Sequence, residues 1–287
     1  MATITPPLQA SRIEAPRALH LWHLTSLDAV TVAVTWTLAF AWAVHLRLPW
    51  WLPAVVGLST WAFYIADRLF DARHARTPLR ARHHYHWRRR RFFIPFAACC
   101  ALAALTLVLW KMPLRTEMRD SLVAAAAFTY FAGVHTARKA PASHMRRRRH
   151  VQWVRKELLV AIVFTAACAL PTLTRSATRL SLLPVLTLYA ALAWLNCHAI
   201  ESWESWNASA ARSVRHAAQA LAGSALLAAC IAIGLHHSRI GLLLLAAASS
   251  AAMLGLLNHQ RERLTPTTLR ALADLVLLTP LALIALS

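Results

Sequence analysis

Acidic side chains are scarce in this chain, with 11 Asp and Glu against 31 Lys and Arg. Glycine is scarcer still, at 6 in 287 residues. Runs dominated by Ala and Leu with so little glycine argue against a transmembrane barrel, whose strands alternate and turn often. The five cysteines, Cys99, Cys100, Cys168, Cys197 and Cys230, fall within or at the ends of apolar runs. They make neither a disulfide framework nor a zinc-ligand spacing, and adjacent Cys99 and Cys100 read as helix packing. The first 20 residues carry Arg12 and Arg17 but no apolar core segment, so no cleavable signal peptide is expected and the first apolar run reads as a retained anchor. The formal charge of +20 invites a nucleic-acid reading. The basic residues are instead spaced by alternate turns between apolar runs, as on one face of a membrane, so no nucleic-acid partner is expected.

What the chain does have is hydrophobic residues, 58% of the total, in long runs separated by charge clusters. That pattern predicts an all-α polytopic membrane protein. Nine spans are expected, at 26–45, 49–66, 92–110, 120–137, 157–173, 181–200, 216–235, 239–257 and 267–286. They form a single transmembrane domain over 26–287 behind an N-terminal tail, 1–25. Alternate segments (the tail and the turns around 67–91, 138–156, 201–215 and 258–266, each counted with its flanking basic residues) hold 24 of the 31 Lys and Arg. The positive-inside rule makes those segments cytoplasmic, puts the N-terminus inside and, with nine spans, the C-terminus on the opposite side. Such a surface would lie against anionic lipid in a bacterial inner membrane or its equivalent. The loop from Arg73 to Arg91 also carries His83, His84 and His86. Lacking an i, i+4 pair or alternating acids, these read as part of a solvated basic loop and not as a metal site. The run Arg146 to Arg149 reads the same way.

Four of the 11 acids sit in two places. Asp67 and Asp71 are four apart where the second span gives way to arginines. Glu201 and Glu204 are three apart at the same side of the sixth, with His198 one turn before Glu201. Each pair shares a helix face. Two acid pairs ending two spans on one side can build an oxygen-rich Mg²⁺ site between them. The bland alternative is that each pair neutralises nearby arginines.

Nine spans with acidic motifs closing the second and sixth resemble the UbiA-type membrane prenyltransferases, and the expected fold is a UbiA-like bundle. Asp67-Arg68-Leu69-Phe70-Asp71, followed by Arg76-Thr77-Pro78 and Arg80, is similar to that family's first motif and its trailing arginines. Lys156-Glu157 is similar to the basic residue that follows its fourth helix. Two departures stand out. Phe63 occupies the position where the family usually has Asn or Asp. The second motif offers Asn196, His198, Glu201 and Glu204 in place of aspartates.

The resemblance implies Mg²⁺-dependent transfer of an isoprenyl group from an isoprenyl diphosphate to a hydrophobic acceptor, aromatic or lipid. It implies that Asp67, Asp71, Glu201 and Glu204 hold Mg²⁺, and that Arg68, Arg76, Arg80 and Lys156 bind the diphosphate. Asn196 and His198 would orient the acceptor or assist its deprotonation. Tyr64, Trp61, Trp194 and Trp203 are candidates to shield an allylic cation through their ring faces. Two other classes compete: a non-catalytic protein of this type that binds isoprenoid or anionic lipid, and a small transporter, for which broken mid-membrane helices would be expected. Two further acids lie outside the motifs. Asp274 is expected to pair with Arg270 one turn earlier, and Asp28 to cap the first span.

Overall fold

The computed structural model describes residues 13–75, 80–112, 146–205 and 208–285. These residues are almost wholly helical, and among them the only β-type pairing is a single bridge between Ile13 and Leu264. Helix α1, Arg17–Leu24, runs into α2, Leu27–Ala43, through an 82° bend. Thr25 and Ser26 make that bend, and Ser26 adopts φ 60°, a left-handed conformation that a non-glycine residue seldom takes. Helix α3 is Trp51–Arg73, α4 Ala81–Arg88 and α5 Arg90–Lys111. Helix α6, Arg146–Leu173, precedes a 3-10 turn, Arg179–Leu182, that leads into α7, Leu183–Ser205. Helices α8, Ala208–Gly234, and α9, Ser238–Gln260, form a hairpin. The chain closes with α10, Pro266–Leu275, a 3-10 turn, Val276–Leu278, and α11, Leu281–Ala285.

Four segments are long and apolar enough to cross a bilayer: Arg90–Lys111, Arg179–Glu204, Ser209–Gly234 and Ser238–Gln260. The bent α1–α2 pair would make a fifth. Leucines on α5 and α8, such as Leu102, Leu109 and Leu227, are 62–65% exposed, as residues facing lipid tails would be. The expected nine spans compare with these four or five. The apolar part of α6, Glu157–Leu173, is shorter, and the expected span at 120–137 lies outside the described residues. The expected last span, 267–286, is broken after Leu275 by the 3-10 turn ahead of Thr279 and Pro280. Side chains take up the carbonyls this break releases. Ser250 donates its hydroxyl to Val276 O at 2.7 Å and Trp36 its indole N–H to Leu277 O at 2.9 Å.

Helix α2 is buried along most of its length and anchors the core. Trp36 stacks on Tyr189 of α7 with centroids 4.0 Å apart, and Phe40 meets the same tyrosine edge-on. Residues 13–15 meet the start of α10. Ile13 N–H donates to Arg263 O, Thr265 N–H donates to Ile13 O, and Ala15 N–H donates to the Thr268 hydroxyl. Thr265 caps α10 by accepting from Thr268 N–H, with Pro266 at the first helical position.

Residues 81–88, expected as a solvated basic loop, are instead helix α4, packed against α3 and α1. His83 and His86 are buried. Tyr85 and His86 pack on Phe93 at the start of α5, which supplies apolar surface that makes this helix worth forming.

Candidate functional site

Helix α3 continues past its apolar part through Asp67 and Asp71, so both aspartates sit on an intact helix one turn apart. Asp67 pairs with its neighbour Arg68 at 2.5 Å, and Asp71 meets His83 of α4 at 3.4 Å. Arg68 is buried and places its guanidinium over the Tyr64 ring, 5.2 Å from the centroid. Phe63, at the departure from the family motif, lies one helical turn before Asp67 and is 37% exposed.

On α7, Glu204 is held from two sides. Arg80, just ahead of α4, reaches it at 2.6 Å and Glu201 at 3.8 Å, and Arg270 of α10 forms an ion pair with it as well. Arg270 thus pairs across to α7 and not with Asp274 on its own helix, contrary to expectation. Arg270, 6% exposed, joins Arg80 on Glu204 across the packed α7 and α10 helices, where a carboxylate takes charge-assisted bonds from two guanidiniums. Arg80 and His83 together place the start of α4 between the two acid pairs: Asp71 on one side, Glu201 and Glu204 on the other.

His198 lies 3.7 Å from Glu157 at the start of the apolar part of α6 and 3.3 Å from the Ser213 hydroxyl, with its ring stacked on Trp194. Trp203 donates to the Asn258 side-chain oxygen and Trp61 to Thr25 O, so both indoles are tied into helix packing. Arg76 lies outside the described residues. Lys156 lies on the α6 backbone, with its side chain outside the described set.

The chain adds one cation that the sequence reading passes over. Burial pushes the Arg82 guanidinium down to about 9. Arg68 and Arg80 add repulsion in the same direction, while Asp28 and Asp67 oppose it. Arg68 and Arg82 each bury an Nε–H that has no acceptor. Unsatisfied donors on buried guanidiniums are costly, and a multivalent anion with several oxygens would relieve that cost.

Beside this basic cluster lies an acidic one. Asn196 donates its amide N–H to Asp274 Oδ1 at 3.0 Å. Asp274 Oδ2 lies 3.9 Å from His23 Nδ1, which in turn is 2.5 Å from Asp28 Oδ2. Among the described residues, this is the one set of three or more His, Cys, Asp or Glu whose potential ligand atoms all lie within 4.8 Å of one another. Asp28 lies in the first turn of α2, as expected of an acid at a helix N-terminus, though not at the cap position itself. Ser26 occupies the cap position, and Asp28 accepts from Ala29 N–H with one oxygen and turns the other to His23. His23 had no motif to mark it, and only the sharp α1–α2 bend brings it to Asp28.

Comparison of the chain with models of known protein families, with curated proteins and with solved structures finds no match in any of the three.

Proposed function

We propose that the protein is an integral-membrane prenyltransferase of UbiA type, moving an isoprenyl group from an isoprenyl diphosphate to an aromatic or lipid acceptor. One observation carries this reading beyond the resemblance of the motifs. Arg68, Arg80, Arg82 and Arg270 gather at the helix ends that also bear Asp67, Asp71, Glu201 and Glu204, and two of the guanidiniums hold buried donors without acceptors. Such a cluster fits a diphosphate, whose oxygens accept several charge-assisted hydrogen bonds at once.

The oxygen donors on α3 and α7 suit Mg²⁺ by their chemistry. Asp67, Asp71, Glu201 and Glu204 would hold it, with Arg80 and Arg270 passing from Glu204 to the diphosphate. Bound there, Mg²⁺ would neutralise charge developing on the leaving group. Arg68 and Arg82 donate to the departing diphosphate as the allylic C–O bond breaks and its electron pair stays on oxygen. Tyr64 offers its ring face next to Arg68, where a cationic carbon gains from the quadrupole. His198, 3.7 Å from Glu157 and stacked on Trp194, would take the proton the acceptor loses as its new bond to the allylic carbon forms. Asn196 positions the partly buried carboxylate of Asp274. The remaining architecture of this proposal is nine spans, with the basic turns and the N-terminus on the cytoplasmic face, against anionic lipid, and the C-terminus opposite.

A second reading has an observation of its own. Glu204 already has two arginine partners, as in a protein that binds isoprenoid or anionic lipid without turning it over. Turnover of a labelled isoprenyl diphosphate by the purified protein in detergent, with Mg²⁺ and a panel of aromatic acceptors, separates the two. The proposal expects diphosphate release that falls roughly 100-fold or more in Asp67→Ala, Glu201→Ala and Arg82→Ala. Mg²⁺-dependent binding with no release supports the binder. No binding, with the variants indistinguishable from the parent, removes both.

A further inference from the structure

We infer that His23, Asp28 and Asp274 form a binding site for one divalent first-row transition metal, separate from the Asp67, Asp71, Glu201 and Glu204 set and independent of the prenyl-transfer reading. The three residues come from three elements, α1, the start of α2 and α10, and their ligand atoms lie within 4.8 Å of one another. His23 is 3% exposed and Asp28 5% exposed. The Asp274 side chain is 19% exposed, which leaves a path for an ion.

Charge balance points the same way. Two carboxylates this close repel each other, and burial raises that cost. Elsewhere in this arginine-rich chain Asp67 and Glu204 have arginine partners. Among the described residues, Asp28 and Asp274 have none in hydrogen-bond or ion-pair contact, although Arg270 is one turn from Asp274. Their direct partners are a histidine, an asparagine amide, a backbone N–H and each other, the two carboxyls standing within hydrogen-bond reach, so the pair must share a proton or a cation. Arg68 and Arg82 act on Asp28 through their charge, without a hydrogen bond or ion-pair contact to it.

Two details match how metal sites are built. Each carboxylate is oriented by a hydrogen bond from outside the cluster, Asp274 by Asn196 Nδ2 at 3.0 Å and Asp28 by Ala29 N–H at 2.8 Å. Asn196 is itself 7% exposed, and the Oδ1 of the amide that touches Asp274 has no partner. It is a buried oxygen donor available at the rim of the cluster. One imidazole nitrogen with carboxylate and amide oxygens suits Mn²⁺, Fe²⁺, Co²⁺ or Zn²⁺ better than Mg²⁺ or Ca²⁺, which favour all-oxygen sets. The proton His23 shares with Asp28 would leave as the ion binds. Such an ion would clip the bend between α1 and α2 to α10, closing the N-terminal part of the chain onto the C-terminal part.

Co²⁺ is the probe, because its visible d–d bands report an imidazole-containing site. The full-length protein, purified in detergent with its affinity tag removed and stripped with chelator, is titrated with Co²⁺ in millimolar Mg²⁺, which occupies oxygen-only sites. The inference expects one Co²⁺ per chain. Binding is lost in His23→Gln and Asp274→Asn and is retained in Asp67→Asn and in His86→Gln. Asn196→Ala keeps the three ligands and is expected to weaken binding about 10–100-fold. It also answers the question should His23→Gln fail to fold. A folded parent that takes up no Co²⁺, or uptake unchanged by His23→Gln and by Asn196→Ala, overturns the inference.

Discussion

His86 shows how far a residue's neighbours can carry it from its sequence appearance. Its Nδ1 is 2.9 Å from Arg82 O, so that nitrogen carries the proton and donates. Its Nε2 is buried without a partner, and the ring packs 4.3 Å from Phe93. Burial therefore holds the imidazole down to about 4, against 6.5 for a free side chain. His83 moves in the same direction for the same reason, with Asp71 opposing. Between those values the unfolded chain binds a proton that the folded chain does not. Stability is thus predicted to be full above pH 6.5 and to fall as pH drops toward 4, by at most about 3 kcal/mol from His86. His86→Phe keeps the packing and removes the titration. Unfolding midpoints measured in detergent across that range are expected to flatten in the variant, and an unchanged slope would contradict the assignment.

At the scale of elements, small residues decide where helices approach. A Cβ placed on Gly241 would clash with Ile233 Cγ1 and stand 3.2 Å from Ala229 O, both across the α8–α9 hairpin. Gly223, on the same hairpin, has nothing within 4 Å. Gly241→Ala is predicted to cost about 1–3 kcal/mol through overpacking. Gly223→Ala is predicted to add roughly 0.5–1 kcal/mol through helix propensity. Thermal unfolding of the two variants beside the parent checks the opposite signs, and equal shifts would refute the packing argument. The helices that carry the candidate site were legible as apolar runs ending in charge. The break after Leu275 was not, since Thr279 and Pro280 become a stop only when Ser250 and Trp36 are present to take the freed carbonyls.

For the whole molecule, the asymmetry of the basic turns makes a prediction about sidedness. The turn containing Ala75 lies in a segment crowded with arginine, whereas the turn containing Ala177 carries only Arg175 and Arg179 nearby. Cysteines introduced as Ala75→Cys and Ala177→Cys both fall at exposed positions. In intact cells an impermeant maleimide is expected to label the cysteine at 177, and the one at 75 only after permeabilisation. The reverse pattern would invert the proposed topology. Charge counts of this kind are readable from sequence because the bilayer sorts each loop largely by itself.

The all-helical character and the apolar segments follow from local composition, because a chain in lipid must satisfy its backbone hydrogen bonds within each segment. The pairing of Asp67 with Asp71 and of Glu201 with Glu204 on common helix faces follows from the helical period. Which acid meets which base does not follow from spacing. Arg270 pairs with Glu204 on α7 and not with Asp274 one turn away, and Asp274 instead faces Asn196 and a histidine some 250 residues earlier. Burial does not make the choice, since the Glu204 and Asp274 side chains are 20% and 19% exposed; it depends on which helices pack together and so which groups meet. That is why His23 and Arg82 emerge only from the tertiary structure.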